Sequence, residues 1–436
     1  MKNVIVIIIL FTSLLSAQNK LTIKDAIQLG LSNSKSLKVS KAKVDYNQAK
    51  IDEVKSQFYP QLKFSAAYNR LSDIPPFEIV TPFFPSPIKI QEPVLNTYSL
   101  KLSLQQPLFT GFKLTSLQNM NSYNKASADA DYSREINEEA MNIYTAFWNF
   151  YRAKEVKKLI DENLSAIESH LTDTKNFLQN ELVTLNDVLK LEVKYSNIKL
   201  KQIEAANGVE VSRAVMNKTI GLPIQSKTDI SVEEISPEIK EMNYDELLNE
   251  ALQNRADIEA LKLKTDAGRE AIDAANSSWY PSIYLFSNFY YNRPNQRIMP
   301  VKDRFDESWD AGVSLTWDLW NWGYNSSQSE QAKQLYIQTE TALNIVKEAV
   351  HVEVYSNYLQ LIATHEKIET AKKAVESAKE NCRITSDKYK VQLATSTELI
   401  DSETLLLQAE TDLTNSTIEY ELSRLKLEKS LGRKIY

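Results

Sequence analysis

Few side chains in this chain have the type and spacing that chemistry requires. The three histidines, His170, His351 and His365, lie in separate helical stretches, so they do not form the closely spaced ligand set of a metal site. A single cysteine, Cys382, leaves no disulfide framework. The eight glycines form neither a dinucleotide-binding nor a P-loop spacing, and no recognisable nucleophile motif occurs. We therefore expect no enzyme activity, no metal site and no cofactor, and the function must come from the architecture.

The N-terminus has the residue order of a secretory signal. Lys2 precedes an apolar run over residues 4–15, and Ser16 and Ala17 follow it, which predicts a signal peptide over residues 1–17. Later in the chain no stretch approaches the roughly 20 apolar residues that a transmembrane helix needs, so a membrane crossing would have to use strands. The net charge of −6 comes without a basic stripe, which argues against nucleic acid as a partner.

Two blocks of the sequence lack both strong helix breakers. Residues 112–207 and 324–431 contain neither glycine nor proline and are rich in Lys, Glu, Gln, Ala and Leu. Polar and β-branched residues interrupt the helix formers at 180–184 and 391–396, so we predict long helical hairpins over residues 112–218 and 324–431. Before the first interruption, a helix from Lys113 to Leu178 would be about 100 Å long, enough to reach well beyond a bilayer into the periplasm.

The chain is also an internal duplication. At a shift of about 221 residues, Phe58-Tyr59-Pro60 falls on Trp279-Tyr280-Pro281, and at a shift of about 211 residues Thr184 falls on Thr395. This pattern predicts a first structural repeat over residues 18–225, a connector over residues 226–242 and a second repeat over residues 243–436. Each repeat has the same order of amphipathic helix, β-hairpin and long helical hairpin.

After each Tyr-Pro break the helical pattern changes to alternation. Apolar residues alternate with polar ones from Leu62 to Tyr68 and from Trp309 to Trp317, which predicts β-hairpins over residues 61–108 and 282–318. An apolar outer face with aromatic ends is typical of outer-membrane barrels. A soluble sheet with one face on a core is the alternative, but these strands have no obvious partner layer. Four strands cannot close a barrel. Three chains would therefore share a single barrel of twelve strands, an even number that is typical of such barrels.

Taken together, these features resemble the TolC-like outer-membrane efflux protein family. The resemblance rests on the duplication, the two aromatic-Tyr-Pro junctions, the opening segment from Leu21 to Ala26, and the closing Ile220-Gly221 with its counterpart Leu431-Gly432. It implies an α+β membrane protein of a Gram-negative bacterium. In this family a homotrimer forms a 12-stranded β-barrel, with four strands per chain, in outer-membrane lipid, and a long α-helical barrel of coiled hairpins continues through the periplasm. An inner-membrane transporter docks through a periplasmic adaptor protein and supplies the energy.

The resemblance also implies a periplasmic gate. Tyr389 matches the family's constricting tyrosine, whereas Gln392 and Ala394 stand where the family often has glycine and arginine. Glu398 and Asp401 align with the acidic rings that narrow the family's entrance. Three copies of each acid around one axis would attract cations and raise one another's pKa. Without the resemblance, these two acids are ordinary solvated carboxylates on a helix face.

The resulting hypothesis is a passive outer-membrane exit duct of a tripartite efflux or type I secretion system. The adaptor is expected to dock on the two helical turns, formed by Glu181, Leu182, Val183, Thr184, Leu393, Ala394, Thr395 and Ser396. A periplasmic coiled-coil scaffold without a pore is the alternative. An adaptor is disfavoured, because adaptors carry one hairpin between glycine-rich β-domains. The apolar, proline-rich loop over residues 71–96 should face outside the cell. The sequence does not distinguish between drugs, metal ions and polypeptides as the cargo.

Overall fold

The computed structural model describes residues 20–83, 85–91, 93–232 and 242–436. The predicted signal peptide lies outside the described residues, as do residues 233–241 of the predicted connector. The helices of the described part are α1 Ile23–Asn33, α2 Lys35–Ser56, α3 Lys113–Gln179, α4 Leu185–Thr219, α5 Tyr244–Asn254, α6 Ala256–Asn276, α7 Tyr324–Lys390 and α8 Ser396–Ser430. The strands are β1 Gln61–Arg70, β2 Phe77–Ile79, β3 Ile88–Gln91, β4 Asn96–Phe109, β5 Ser282–Arg293 and β6 Asp306–Thr316.

The long helices form matched pairs. Both α3 and α7 contain 67 residues, and both α4 and α8 contain 35. The two longest helices run without interruption because neither contains a glycine or a proline. Among the residues that the structure describes, no helix is both long enough and apolar enough to cross a membrane.

Within the described part of the chain, the first of two compact units comprises residues 20–41, 131–232, 242–257 and 346–436. Its core packs Phe147 and Phe150 of α3 against Met216 of α4 and Ile27 of α1. A second cluster further along the same helices joins residues at spacings of three and four on α3 to one residue of α4, namely Ile160, Leu164, Ile167 and Ile198. This seam aligns α3 with α4 as an antiparallel helical hairpin.

The two repeats end in the same way within this unit. The Asn33 side-chain amide donates a 3.0 Å hydrogen bond to the carbonyl of Ile220, and Gly221 follows with a φ of 79°. In the second repeat Gly432 has a φ of 77° and lies against the backbone of Asn254. Only glycine adopts this conformation without a steric penalty, so each long return helix ends on a glycine that fits closely against the end of a short helix.

The second unit comprises Ala42–Ala130 and Ile258–Ile345 and contains the sheet. Its four strands lie in the order β1-β4-β5-β6, and each neighbouring pair is antiparallel. The two hairpins thus join into a single sheet through β4 and β5. Strands β2 and β3 form a separate two-stranded ladder inside the segment 71–96, for which the sequence pattern predicts a loop. Isoleucines at positions 79, 88 and 90 favour these short strands.

Candidate functional site at the helical turns

The first helical turn, between α3 and α4, has a defined backbone geometry. Glu181 adopts a left-handed φ of 59°, and the N–H of Leu182 donates to the carbonyl of Phe177 at 3.0 Å. This bond from the second residue past the C-cap residue, Asn180, is the Schellman motif. Helix α4 then begins with a capping box, in which the carboxylate of Asp187 accepts from the backbone N–H of Thr184 at 3.0 Å. The turn is therefore rigid at both helix ends.

The second turn, between α7 and α8, repeats this geometry. Gln392 has a φ of 64°, and the N–H of Leu393 donates to the carbonyl of Lys388 at 2.8 Å. The carboxylate of Glu398 accepts from the backbone N–H of Thr395 at 2.7 Å. This bond holds the pKa of Glu398 below its usual range. The sequence does not predict the left-handed backbone conformation of Glu181 and Gln392, because neither residue is a glycine.

Polar side chains connect the two turns to each other. The Ser396 hydroxyl donates to the carboxylate of Asp187 at 2.8 Å, and Lys190 donates to the hydroxyl of Thr397 at 3.2 Å. Hydrogen bonds from the Thr184 hydroxyl and then from Ser396 hold the pKa of Asp187 below its usual range. The negative charge of Asp187 therefore both caps α4 and binds the start of α8.

Tyr389 lies inside the helix pair in this chain. Its side chain is buried, and its hydroxyl lies 2.5 Å from the hydroxyl of Thr174 on α3. The ring contacts those of His170 and Phe177. Burial raises the pKa of the Tyr389 hydroxyl, so this hydroxyl stays protonated and joins α7 to α3 through a neutral hydrogen bond.

A histidine and a buried glutamate from two different helices lie next to each other close to this tyrosine. Nε2 of His170 on α3 is 3.0 Å from Oε1 of Glu403 on α8, and the two side chains are 14% and 3% exposed. The sequence pattern does not single out Glu403, and it predicts no site that includes His170. The available signal was spacing, because Glu403 follows the buried Leu399 by four residues and so lies on the same face of α8.

The predicted docking residues are largely accessible. Leu182 and Leu393 are 53% and 77% exposed, Val183 and Ala394 are partly exposed, and only Ser396 is buried. Asp401 is exposed. Within the described residues no hydrogen bond or ion pair joins Tyr389 to the two predicted gate acids. In a single chain, then, the structure brings the turns together but does not assemble the three gate residues into one cluster.

Long helical hairpins, together with a four-stranded sheet that exposes an apolar face, are the parts of an outer-membrane channel subunit. The profile of the family described as "Outer membrane efflux protein" matches residues 26–221 and 247–433. The chain belongs to this family and is an outer-membrane protein, which confirms the resemblance inferred from the sequence.

Individual relatives agree with this assignment. Outer membrane protein TolC of Escherichia coli is 24% identical over 432 residues, covering 97% of this chain and 84% of TolC. Among solved structures, the outer membrane protein VceC of Vibrio cholerae aligns with a TM-score of 0.76 at 17% identity, covering 95% of this chain and 97% of VceC. The CmeC outer membrane channel of Campylobacter jejuni aligns with a TM-score of 0.79 at 15% identity, covering 94% and 85% of the two chains.

Proposed function

We propose that three copies of this chain form a passive exit duct in the outer membrane. The observation that carries the proposal is the sheet order, in which β1 and β6 are the outer strands. Because neighbours alternate in direction across four strands, β1 and β6 run in opposite directions. The β6 edge of one chain can therefore pair with the β1 edge of the next and continue the antiparallel order, so that three chains close a twelve-stranded barrel. Closure would satisfy the edge groups that lipid cannot hydrogen-bond.

The apolar face of the sheet supports a lipid-facing surface. One row across the sheet consists of Phe64, Leu102, Phe289 and Trp309, and Trp309 is 73% exposed. A soluble protein rarely leaves such a contiguous apolar surface uncovered. Beyond the strand ends, exposed aromatic residues at Tyr59, Trp317, Trp320 and Trp322 are placed where barrels carry interfacial aromatic girdles.

The helical turns are the proposed periplasmic gate and docking surface. In the trimer, Glu398 and Asp401 would surround the entrance in three copies, whereas Tyr389, which is buried inside the helix pair, would act on the gate through Thr174. We infer that the closed state is held by the Tyr389–Thr174 hydrogen bond and by the bonds between the turns, so opening requires these contacts to break. The chain performs no chemistry in this scheme, because an inner-membrane transporter supplies the energy.

An adaptor is proposed to bind the exposed turns. Leu182 and Leu393 present apolar side chains at equivalent positions of two rigid turns. Three chains would offer six such turns. Hairpin tips of an adaptor protein with apolar residues could insert between them, with Glu181, Val183, Thr184, Ala394, Thr395 and Ser396 completing the docking set.

Planar-bilayer recording of the purified protein tests the duct. We expect heat-resistant trimers from the outer-membrane fraction and a small conductance, because the gate rests closed. Tyr389→Phe and Thr174→Val should each raise the open conductance, because each removes the hydroxyl pair. Tyr336→Phe is the matched control, since it removes a hydroxyl of α7 that donates to Glu340 on the same helix and interacts with Arg269 on α6. A soluble monomer without any conductance would instead support the scaffold alternative.

A further inference from the structure

The polar face of the sheet carries two lysines on adjacent strands. Lys63 on β1 pairs with Ser103 on β4, and Lys101 on β4 pairs with Ser65 on β1. The two lysines are therefore diagonal neighbours on one face, with Cα atoms about 7 Å apart. The opposite face carries the apolar row of Phe64. If that apolar row faces lipid, as proposed above, both lysines face the lumen.

The carboxylates on the same polar face are already neutralised. Asp310 on β6 accepts from Nη2 of Arg297 at 2.6 Å, and Asp306 accepts from Nε of Arg304 at 3.0 Å. Both arginines come from the segment between β5 and β6, which folds back onto the strands. The guanidinium of Arg297 also stacks 4.3 Å from the ring centre of Tyr290. The two acids of this face consequently contribute no net charge to it.

The lysines have no such compensation. Nζ of Lys101 lies 5.4 Å from the ring centre of Tyr290, a contact that stabilises a cation without removing its charge. Among the described residues, neither lysine has a carboxylate within 4.0 Å. The polar face thus carries an excess of two positive charges per chain.

We propose that Lys63 and Lys101 form an anion-selecting ring, so that the cargo of this duct includes organic anions bearing carboxylate or phosphate groups. This inference rests on the proposed function, because it needs the closed barrel. Three chains would bring six ammonium groups around one lumen, and rings of lysine or arginine are how pores favour anions. The lysines would determine how strongly anions are favoured in the barrel segment.

Reversal potentials in a potassium chloride gradient test the ring. We expect the chloride-to-potassium permeability ratio to fall severalfold in Lys63→Gln/Lys101→Gln. It should stay unchanged in Lys63→Arg/Lys101→Arg, which keeps the charges, and in Ser103→Gln, which adds bulk between the lysines without charge. An unchanged ratio in the glutamine variant, or an equal fall in the arginine variant, would overturn the inference while leaving the duct in place.

A second measurement uses the unmodified protein. Inorganic pyrophosphate should reduce the conductance, and this block should weaken as the salt concentration rises because screening shortens the reach of the lysine charges. Block that is independent of salt, or no block, would count against the ring. If the unmodified protein gives no conductance in any condition, the proposed duct itself fails and this inference falls with it.

Discussion

The buried pair of His170 and Glu403 gives the sharpest prediction for the helical turns. Replacing His170 with leucine keeps a side chain of similar bulk but removes the imidazole nitrogen that lies 3.0 Å from a glutamate side chain that is only 3% exposed. Removing one partner of a buried pair commonly costs 3–5 kcal/mol, because the remaining charge is left without compensation. Here the ammonium of Lys194, which donates to Thr404 at 2.6 Å, also attracts Glu403, so we expect the lower end, about 3 kcal/mol.

Hydrogen exchange measured by mass spectrometry is the suitable assay, because it reports local opening of helices in an assembled protein. A loss of about 3 kcal/mol corresponds to roughly 150-fold faster exchange, and it should be confined to peptides covering residues 165–175 and 399–407. The peptide of α1, residues 23–33, serves as the internal reference. Exchange there should not change, because α1 packs in a different core cluster.

Two further variants separate charge from packing. Glu403→Gln removes the buried charge and should cost less than about 1.5 kcal/mol, the usual worth of a neutral hydrogen bond. The double variant His170→Leu/Glu403→Leu should recover most of the loss, because apolar replacement of a buried pair is often neutral or stabilising. If all three variants exchanged at the same rate, uncompensated charge would not be the cause and the reasoning would be refuted.

Three other predictions concern single sites. Gly432→Ala should lower the free energy of unfolding by about 2 kcal/mol, measured by thermal denaturation, because a Cβ atom would lie 2.7 Å from the carbonyl carbon of Asn254 at a φ of 77°. Because hydrogen bonds lower the pKa of Asp187, its stabilisation is present at about pH 5 and fades as pH falls below the usual carboxyl range; the difference in melting temperature between the unchanged protein and Asp187→Asn should therefore shrink steadily as the pH is lowered below about 4. Burial raises the pKa of Cys382, so a maleimide should label it at least about tenfold more slowly than the exposed cysteine of Asn381→Cys in a Cys382→Ser background.

The positions of helix-breaking residues in the sequence account for much of the fold. Strands β1 and β5 begin directly after Pro60 and Pro281, because proline disfavours helix in the residue before it. The family, and with it the outer-membrane location, also followed from motifs and duplication. The pairing of β4 with β5 was not accessible in this way, since it joins segments far apart in the chain. The alternation pattern states which face a residue occupies but not which strand lies beside it.

The geometry of the helical turns was harder to predict from the sequence, for two physical reasons. The left-handed residues Glu181 and Gln392 carry no sequence signal, because such conformations are normally recognised by glycine. The surrounding helix caps impose them instead. The burial of Glu403 was hidden because a charged residue on a long polar helix is ordinarily solvated. Its partner, His170, comes from the other repeat, and no local pattern links the two.

Comparing equivalent positions in the two repeats shows how the duplicated turns have diverged. Glu192 is the counterpart of Glu403 at the shift of 211 residues, yet it forms a surface ion pair with Lys175 at 2.9 Å, whereas Glu403 is buried against His170. A surface pair contributes little to stability, but a buried one is costly to break.

The strong contacts near the turns share one property, which is that each joins a residue of the second repeat to one of the first. Tyr389 bonds to Thr174, and Ser396 bonds to Asp187. The backbone of each turn, by contrast, is held by bonds within its own repeat. Any movement that separates the repeats therefore breaks buried side-chain contacts while leaving both turns intact. In such a movement each helical hairpin would shift as a rigid body, and the exposed leucines of the turns would keep the geometry that an adaptor is proposed to bind.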